Sequence, residues 1–176
     1  GGPSAEAEVS HNTGQAVMRA ISENLSDKYR TFDIIVDKDG NWLHEGNNIT
    51  PTGLHSLVDV VFNALHGTYG EDGKVQSVLE WHNIPFTGSG STGSAIGMNK
   101  VMTKKILNSY GIKNPYGVTI ESGEIQNEPE NVLSELYHSF VMPAVVKPSA
   151  NGSSVGVSIV RKFDEFYPAL YSASRL

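Results

Sequence analysis

The 176-residue chain contains no cysteine, which excludes disulfides and thiolate metal sites and suits a reducing compartment. Basic residues are also scarce: 13 Lys and Arg stand against 19 Asp and Glu, a formal net charge of −6. A surface of that sign repels phosphate backbones and anionic lipids, so neither nucleic acid nor a membrane is expected as a partner. No apolar run approaches the ~20 residues of a bilayer span, and no secretory leader is visible. The cytoplasm is the expected compartment. Catalytic signatures are missing too. Without a G-x-x-x-x-G-K-[ST] segment, any nucleotide site is not a P-loop. The histidines (His11, His44, His55, His66, His82 and His138) show no H-E-x-x-H and no ligand spacing, which argues against zinc. What remains, 39% hydrophobic and 18% charged, is ordinary globular composition. It suffices for one domain or two small lobes.

Hydrophobic periodicity organises the chain. Ser10 reads as the N-cap of a helix running to Asn24. "FDIIVDKDGNWL" reads as strand, Asp-Gly turn, strand, followed by a polar loop over 45–56. "VDVVFNAL", residues 58–65, is a continuous apolar run of the kind buried on both faces of a parallel sheet. A helix is predicted over 74–83, a short strand at "IPFTG", and a helix over 91–110 stopped by Gly111. A strand at "YGVTIES", a helix over 129–140, two strands around residues 145–160 and a last helix follow. Strands alternating with helices predict an α/β architecture, with a boundary in the Gly/Ser-rich stretch 88–97. Both ends read as internal. Gly1-Gly2 opens a strand-to-helix turn with no strand before it, and the helical spacing of Phe163, Phe166, Leu170 and Ser174 runs out without a cap. The expectation is a piece of a longer protein.

Two glycine motifs are discounted on context. "GSGSTG" at 88–93 matches G-x-G-x-x-G but lacks the acidic residue about 20 positions on, so a flexible connection is the expectation. "GSSVG" at 152–156 would make Ser154 a hydrolase nucleophile, yet Val155, Val157 and Ile159 alternate like a strand and no histidine follows His138. The stretch "VVKPSANGSSVGVSIV" carries more. Its small-residue loop offers backbone N–H groups, and Lys147 adds a positive charge at the loop's base. It reads either as a solvated hairpin or as an anion-binding loop. His66 ends the apolar run where α/β sheets open onto a ligand crevice. Asp72 reads as an N-cap, and Glu8 as a carboxylate favouring a helix N-terminus.

Together "GGPSAEAEVS", "DVVFNALHGTYGEDGKVQSVLE", "IPFTGSG", "MNKVMTKKIL" and the 145–160 block resemble the D-alanine–D-alanine ligases. These are ATP-grasp enzymes of peptidoglycan precursor synthesis. The resemblance implies a parallel-sheet α/β N-terminal domain over 1–96, lacking its first strand. It implies an incomplete α+β ATP-grasp central lobe over 97–176. By matching position, Lys100 and Lys147 are implied as ATP-phosphate lysines, with Ser153 and Ser154 in the loop over phosphates and substrate. Glu6 is implied beside the amino group of the first D-alanine, with Ser153 as its catalytic companion, and His66 beside that substrate's carboxylate. The implied reaction is ADP-forming, through an acyl phosphate, with Mg2+ held by acids beyond Leu176. The family also implies a homodimer at full length. Asn99 and Asn151 depart from positions commonly acidic in the family. The alternatives are a ligase using D-lactate or D-serine as second substrate, or a nucleotide-binding remnant without turnover. A chain of this extent is expected to be inactive alone.

Overall fold

Asp37 turns the chain into its first hairpin. Its Oδ1 accepts the N–H groups of Asp39 and Asn41, each at 2.8 Å, and its Oδ2 accepts the Asn41 amide at 2.9 Å. These bonds, led by the Asn41 side chain, hold the Asp37 carboxyl below its ordinary value. The turn joins β1 (Ile34–Val36) to β2 (Trp42–His44) with Val36 opposite Trp42, and β3 (Asn47–Asn48) extends the antiparallel sheet. The computed structural model describes residues 2–152 and 154–176, in two units, Gly1–Met98 and Asn99–Leu176.

In the first unit, α1 (Ala7–Asn24) starts ahead of Ser10, which is 2% exposed and no N-cap. The supposed loop 45–56 contains α2 (Pro51–Leu57) as well as β3. The overlooked signal was Thr50-Pro51: the Thr50 hydroxyl accepts the Gly53 N–H at 3.1 Å, and proline suits the first turn. Leu54, 1% exposed, anchors that helix in a core with Val36, Trp42, Val75, Leu79 and Ile84.

The run 58–65 is not the doubly buried strand predicted, since Val60 and Phe62 are each 51% exposed. It makes one parallel bridge, Val61 to Phe86. Val61 donates to the Pro85 carbonyl at 2.8 Å and accepts from Thr87 N–H at 3.0 Å. At the next rung Asn63 N–H goes to the Thr87 hydroxyl instead, at 3.3 Å, so the ladder stops. Helices and strands mix as an α/β fold requires, with parallel pairing confined to this bridge among the described residues.

The unit closes with α3 (Lys74–Trp81) and α4 (Ser91–Met98). The "GSGSTG" stretch is no free connection: it enters α4, which packs on α3. Glu80 accepts the Ser91 N–H at 2.9 Å and the Ser91 hydroxyl at 2.5 Å. A carboxylate therefore already occupies the helix start where a dinucleotide pyrophosphate would lie.

The second unit begins by breaking the single helix predicted over 91–110. Asn99 is extended, and α5 (Lys100–Ser109) starts after it. At its end Gly111 N–H bonds Asn108 O at 3.0 Å and Ile112 N–H bonds Leu107 O at 2.9 Å. With Gly111 at φ +68 this is a Schellman stop, as the glycine predicted. The predicted strand at 116–122 forms no ladder, and Tyr116 and Val118 are exposed. The next elements are α6 (Ser122–Asn127), α7 (Pro129–Ser139), the antiparallel pair β4 (Ala144–Val146) and β5 (Ser158–Val160), and α8 (Phe166–Ala173). Their core joins Ile125, Val132 and Leu136 to Val146, Val160, Phe166 and Leu170. No helix among the described residues is long and apolar enough to cross a membrane.

Candidate active site

In the first unit the turn before α1 and the glycine turn before α3 are stitched together. Ser4 donates its hydroxyl to the His66 carbonyl at 2.8 Å and accepts the Glu6 N–H at 2.9 Å. The buried Ser10 hydroxyl donates to Glu6 O at 3.0 Å and accepts the His66 N–H at 2.9 Å. Both backbone polar groups of His66 are thus fixed by serines from the α1 side. This explains why Ser10 is buried rather than capping.

The imidazole is held at both nitrogens. Thr13 Oγ1 lies 3.0 Å from Nε2, and Glu71 Oε1 lies 3.5 Å from Nδ1. A carboxylate only accepts, so this arrangement favours the tautomer with its proton on Nδ1 and the Thr13 hydroxyl donating to Nε2. Glu71 Oε2 also accepts the Gly67 N–H at 3.0 Å. Gly67, at φ +73, sits in a conformation that favours glycine, and a Cβ there would lie 2.5 Å from Glu6 Oε2. That places the Glu6 carboxylate against the turn carrying His66. Glu6 ends on the α1 N-terminus without capping it by its side chain. Asp72 is not the N-cap predicted: Gly73, left-handed, holds that position, and Asp72 one residue earlier accepts from Tyr69 N–H at 3.0 Å and Lys74 N–H at 3.1 Å. Burial would raise its carboxyl, but those donors and the Lys74 ammonium outweigh it and hold it low.

In the second unit the loop between β4 and β5 is not a free hairpin. Lys100 N–H donates to Ser149 O at 2.8 Å and its Nζ donates to Asn151 O at 2.6 Å, tying the loop to the start of α5. Asn99 Oδ1 accepts the N–H groups of Val101 and Met102 at 3.1 and 3.0 Å. The asparagine therefore performs the cap an aspartate would, and the first amides of α5 are spoken for. Burial first, and the nearby charge of Lys147 second, lower the Lys100 pKa. Lys147 follows β4 directly and is exposed. Neither lysine has a carboxylate within ion-pair distance among the described residues.

Ser154 is exposed at φ +60 in a turn where Val155 N–H bonds Gly152 O and Val157 N–H bonds Ser154 O, both at 3.1 Å. The strand predicted from Val155 begins only at Ser158. Ser153 lies outside the described residues. Among those residues no group of three or more His, Asp or Glu is placed to hold a metal ion. Sequence reasoning missed Ser4, Ser10 and Thr13 as the residues fixing His66. Serine and threonine at six- and three-residue steps ahead of a distant histidine carry no signal of their own.

Two family descriptions match, "D-ala D-ala ligase N-terminus" over residues 44–89 and "D-ala D-ala ligase C-terminus" over residues 106–176. A D-alanine–D-alanine ligase of Geotalea uraniireducens is 43% identical over 99% of this chain and 50% of its own length. One of Chlorobium phaeovibrioides is 34% identical over the whole chain and 57% of its own length. Among solved structures, the D-alanine-D-alanine ligase of Coxiella burnetii matches with TM-score 0.82 and 28% identity, covering 99% of this chain and 58% of that one. The VanG D-Ala:D-Ser ligase of Enterococcus faecalis matches with TM-score 0.78 and 27% identity, covering 99% and 57%. The chain spans about half the length of the curated relatives it matches. With one description on each unit and likeness along its whole length, the chain belongs to the D-alanine–D-alanine ligase family.

Proposed function

We propose that the protein of which this chain forms the N-terminal and central portions is an ADP-forming D-alanine–D-alanine ligase of peptidoglycan precursor synthesis. On this reading 1–96 is the substrate-side domain and 97–176 the ATP-grasp central lobe. The reading includes a cytoplasmic setting, D-alanine and ATP as substrates, and a homodimer at full length. One observation carries it beyond kinship: Lys100, its pKa lowered by burial and then by the charge of Lys147, has no carboxylate within ion-pair distance among the described residues, at the root of a small-residue loop. A partly buried cation at a helix N-terminus is opposed by desolvation, by the dipole and by its neighbour. Such a site is stabilised when a polyanion arrives.

The chemistry uses that charge. The carboxylate of one D-alanine attacks the γ-phosphorus of ATP, forming an acyl phosphate and releasing ADP. The amine of a second D-alanine adds to the acyl carbon, loses a proton, and expels inorganic phosphate as the peptide bond forms. Two anions must meet in the first step, and Lys100 and Lys147 offset their repulsion. The loop bearing Ser153 and Ser154 covers the phosphates and keeps water from the acyl phosphate. Glu6 takes the ammonium of the first D-alanine, and His66, with Nδ1 turned to Glu71, faces that substrate's carboxylate. The described residues supply no magnesium ligand set, and no step here runs through the ion.

The test is phosphate release by the full-length protein with ATP and D-alanine, together with detection of the dipeptide. Release only when D-serine or D-lactate is added would replace the dipeptide reading with that of a ligase using D-serine or D-lactate as second substrate. No release with any of the three removes the ligase reading.

A further inference from the structure

The peptide unit between Gly70 and Glu71 is pinned at both ends. Its carbonyl accepts two side-chain amides, Asn63 Nδ2 at 2.8 Å and Gln76 Nε2 at 2.7 Å. Its N–H donates to Gly67 O at 2.9 Å. Two donors fill both lone pairs of that carbonyl, so the plane cannot rotate without losing them. Asn63 is itself set, its Oδ1 accepting the Leu65 N–H at 3.1 Å. Gly70 leaves no room to shift, because a Cβ there would strike the Leu65 side chain and lie 2.7 Å from its carbonyl.

Gln76 is the unusual member. It is 4% exposed within α3, and its Oε1 is buried with no hydrogen-bond partner among the described residues. Rotating the amide would set an oxygen against the Gly70 carbonyl, so the orphan cannot be relieved that way. A buried, half-satisfied glutamine opposes folding, and an apolar residue would pack there more favourably. Its presence therefore points to what it holds rather than to core stability.

We propose that Asn63 and Gln76 are positioning residues that act through the Gly70–Glu71 peptide to aim the Glu71 carboxylate at His66 Nδ1, and so fix the imidazole tautomer. The significance of that tautomer for D-alanine rests on the ligase reading; the positioning itself does not.

The experiment is 15N NMR of His66 in the full-length protein, at a pH about two units above the ordinary imidazole value of ~6.5. The signal is assigned by its loss in His66→Asn. Wild type is expected to show the proton on Nδ1. Gln76→Met is expected to give mixed tautomers while the melting temperature stays within a few degrees of wild type. In a Glu71→Ala background, Gln76→Met should add nothing. An unchanged tautomer in Gln76→Met overturns the proposal, as does an equal added change in the Glu71→Ala background. If Gln76→Met fails to fold, Asn63→Ser decides on the same readout, since it withdraws the amide donor from Gly70 without adding a charge. In the active enzyme, Gln76→Met should raise KM for D-alanine roughly tenfold and leave KM for ATP unchanged. A tautomer response without ligase activity leaves the positioning standing and removes the ligase reading alone.

Discussion

In the first unit the His66 imidazole has a partner on each nitrogen and serine hydroxyls on its backbone, whereas in the second unit the Lys100 ammonium has one loop carbonyl and a second lysine nearby. The difference is between a group whose orientation must exist before substrate arrives and a group whose partner is the substrate. Orientation is secured by hydroxyl hydrogen bonds and a carboxylate contact drawn from several elements. Anion capture needs charge that the fold has left uncompensated. The largest expected effect lies on the uncompensated side. In the full-length enzyme Lys147→Ala should lower kcat roughly 10²-fold or more, as loss of a preorganised charge stabiliser does. Steady-state kinetics check it, and near-normal turnover would place the phosphate charge elsewhere.

The second prediction sets a glycine of one unit against a glycine of the other. Gly70→Ala drives a methyl into Leu65 and should cost about 1–3 kcal/mol by overpacking. In α6 the only group near a Cβ at Gly123 is Asn127 Nδ2, at 3.9 Å. Gly123→Ala should therefore stabilise, by about 0.4–1 kcal/mol. Denaturant unfolding of the two variants reads both signs, and a destabilising Gly123→Ala would mean that the two glycines do not differ as their surroundings indicate.

A smaller effect is expected at the α5 cap. Asn99→Ala removes the acceptor for Val101 and Met102 N–H and should cost about 1 kcal/mol, measurable by thermal unfolding. Asn99→Asp should restore it, which would show that asparagine stands in for the acid here without changing the geometry.

How much of this was legible beforehand follows the range of the forces involved. Local signals held: Gly111 stops α5, and the 34–44 hairpin turns where expected. Thr50-Pro51 was equally local and was simply passed over. The apolar run 58–65 misled because hydrophobicity alone cannot report whether a ladder forms, and here the Thr87 hydroxyl takes the next rung. The helix break at Asn99 was hidden because the residues either side have helical preference, while the decisive bonds, Lys100 to Ser149 and Asn151, come from distant chain. His66 and Lys147 stand out as polar residues at the ends of apolar runs, whereas Lys100, inside a predicted helix, is marked only by the family resemblance. The network around His66 did not, since serine and threonine look alike in a loop, a cap or a buried clasp.

The smallest expected effect is a pH dependence with two opposite signs. Burial, then the charge of Lys147, puts the folded-state Lys100 pKa below the ordinary lysine value of ~10.4, which the unfolded chain retains. Between those two values the unfolded state binds more protons, so folding stability rises with pH through the window as the penalty on the folded cation fades. Nucleotide binding has the reverse requirement, because the phosphates need the proton on. Raising the pH from about 7 toward 10 should therefore stabilise the free protein slightly and shrink the extra stability conferred by saturating ATP or ADP. Thermal unfolding with and without nucleotide across that range reads both slopes. A nucleotide-dependent shift that stays constant to pH ~10 would mean that Lys100 is not the cation the phosphates meet.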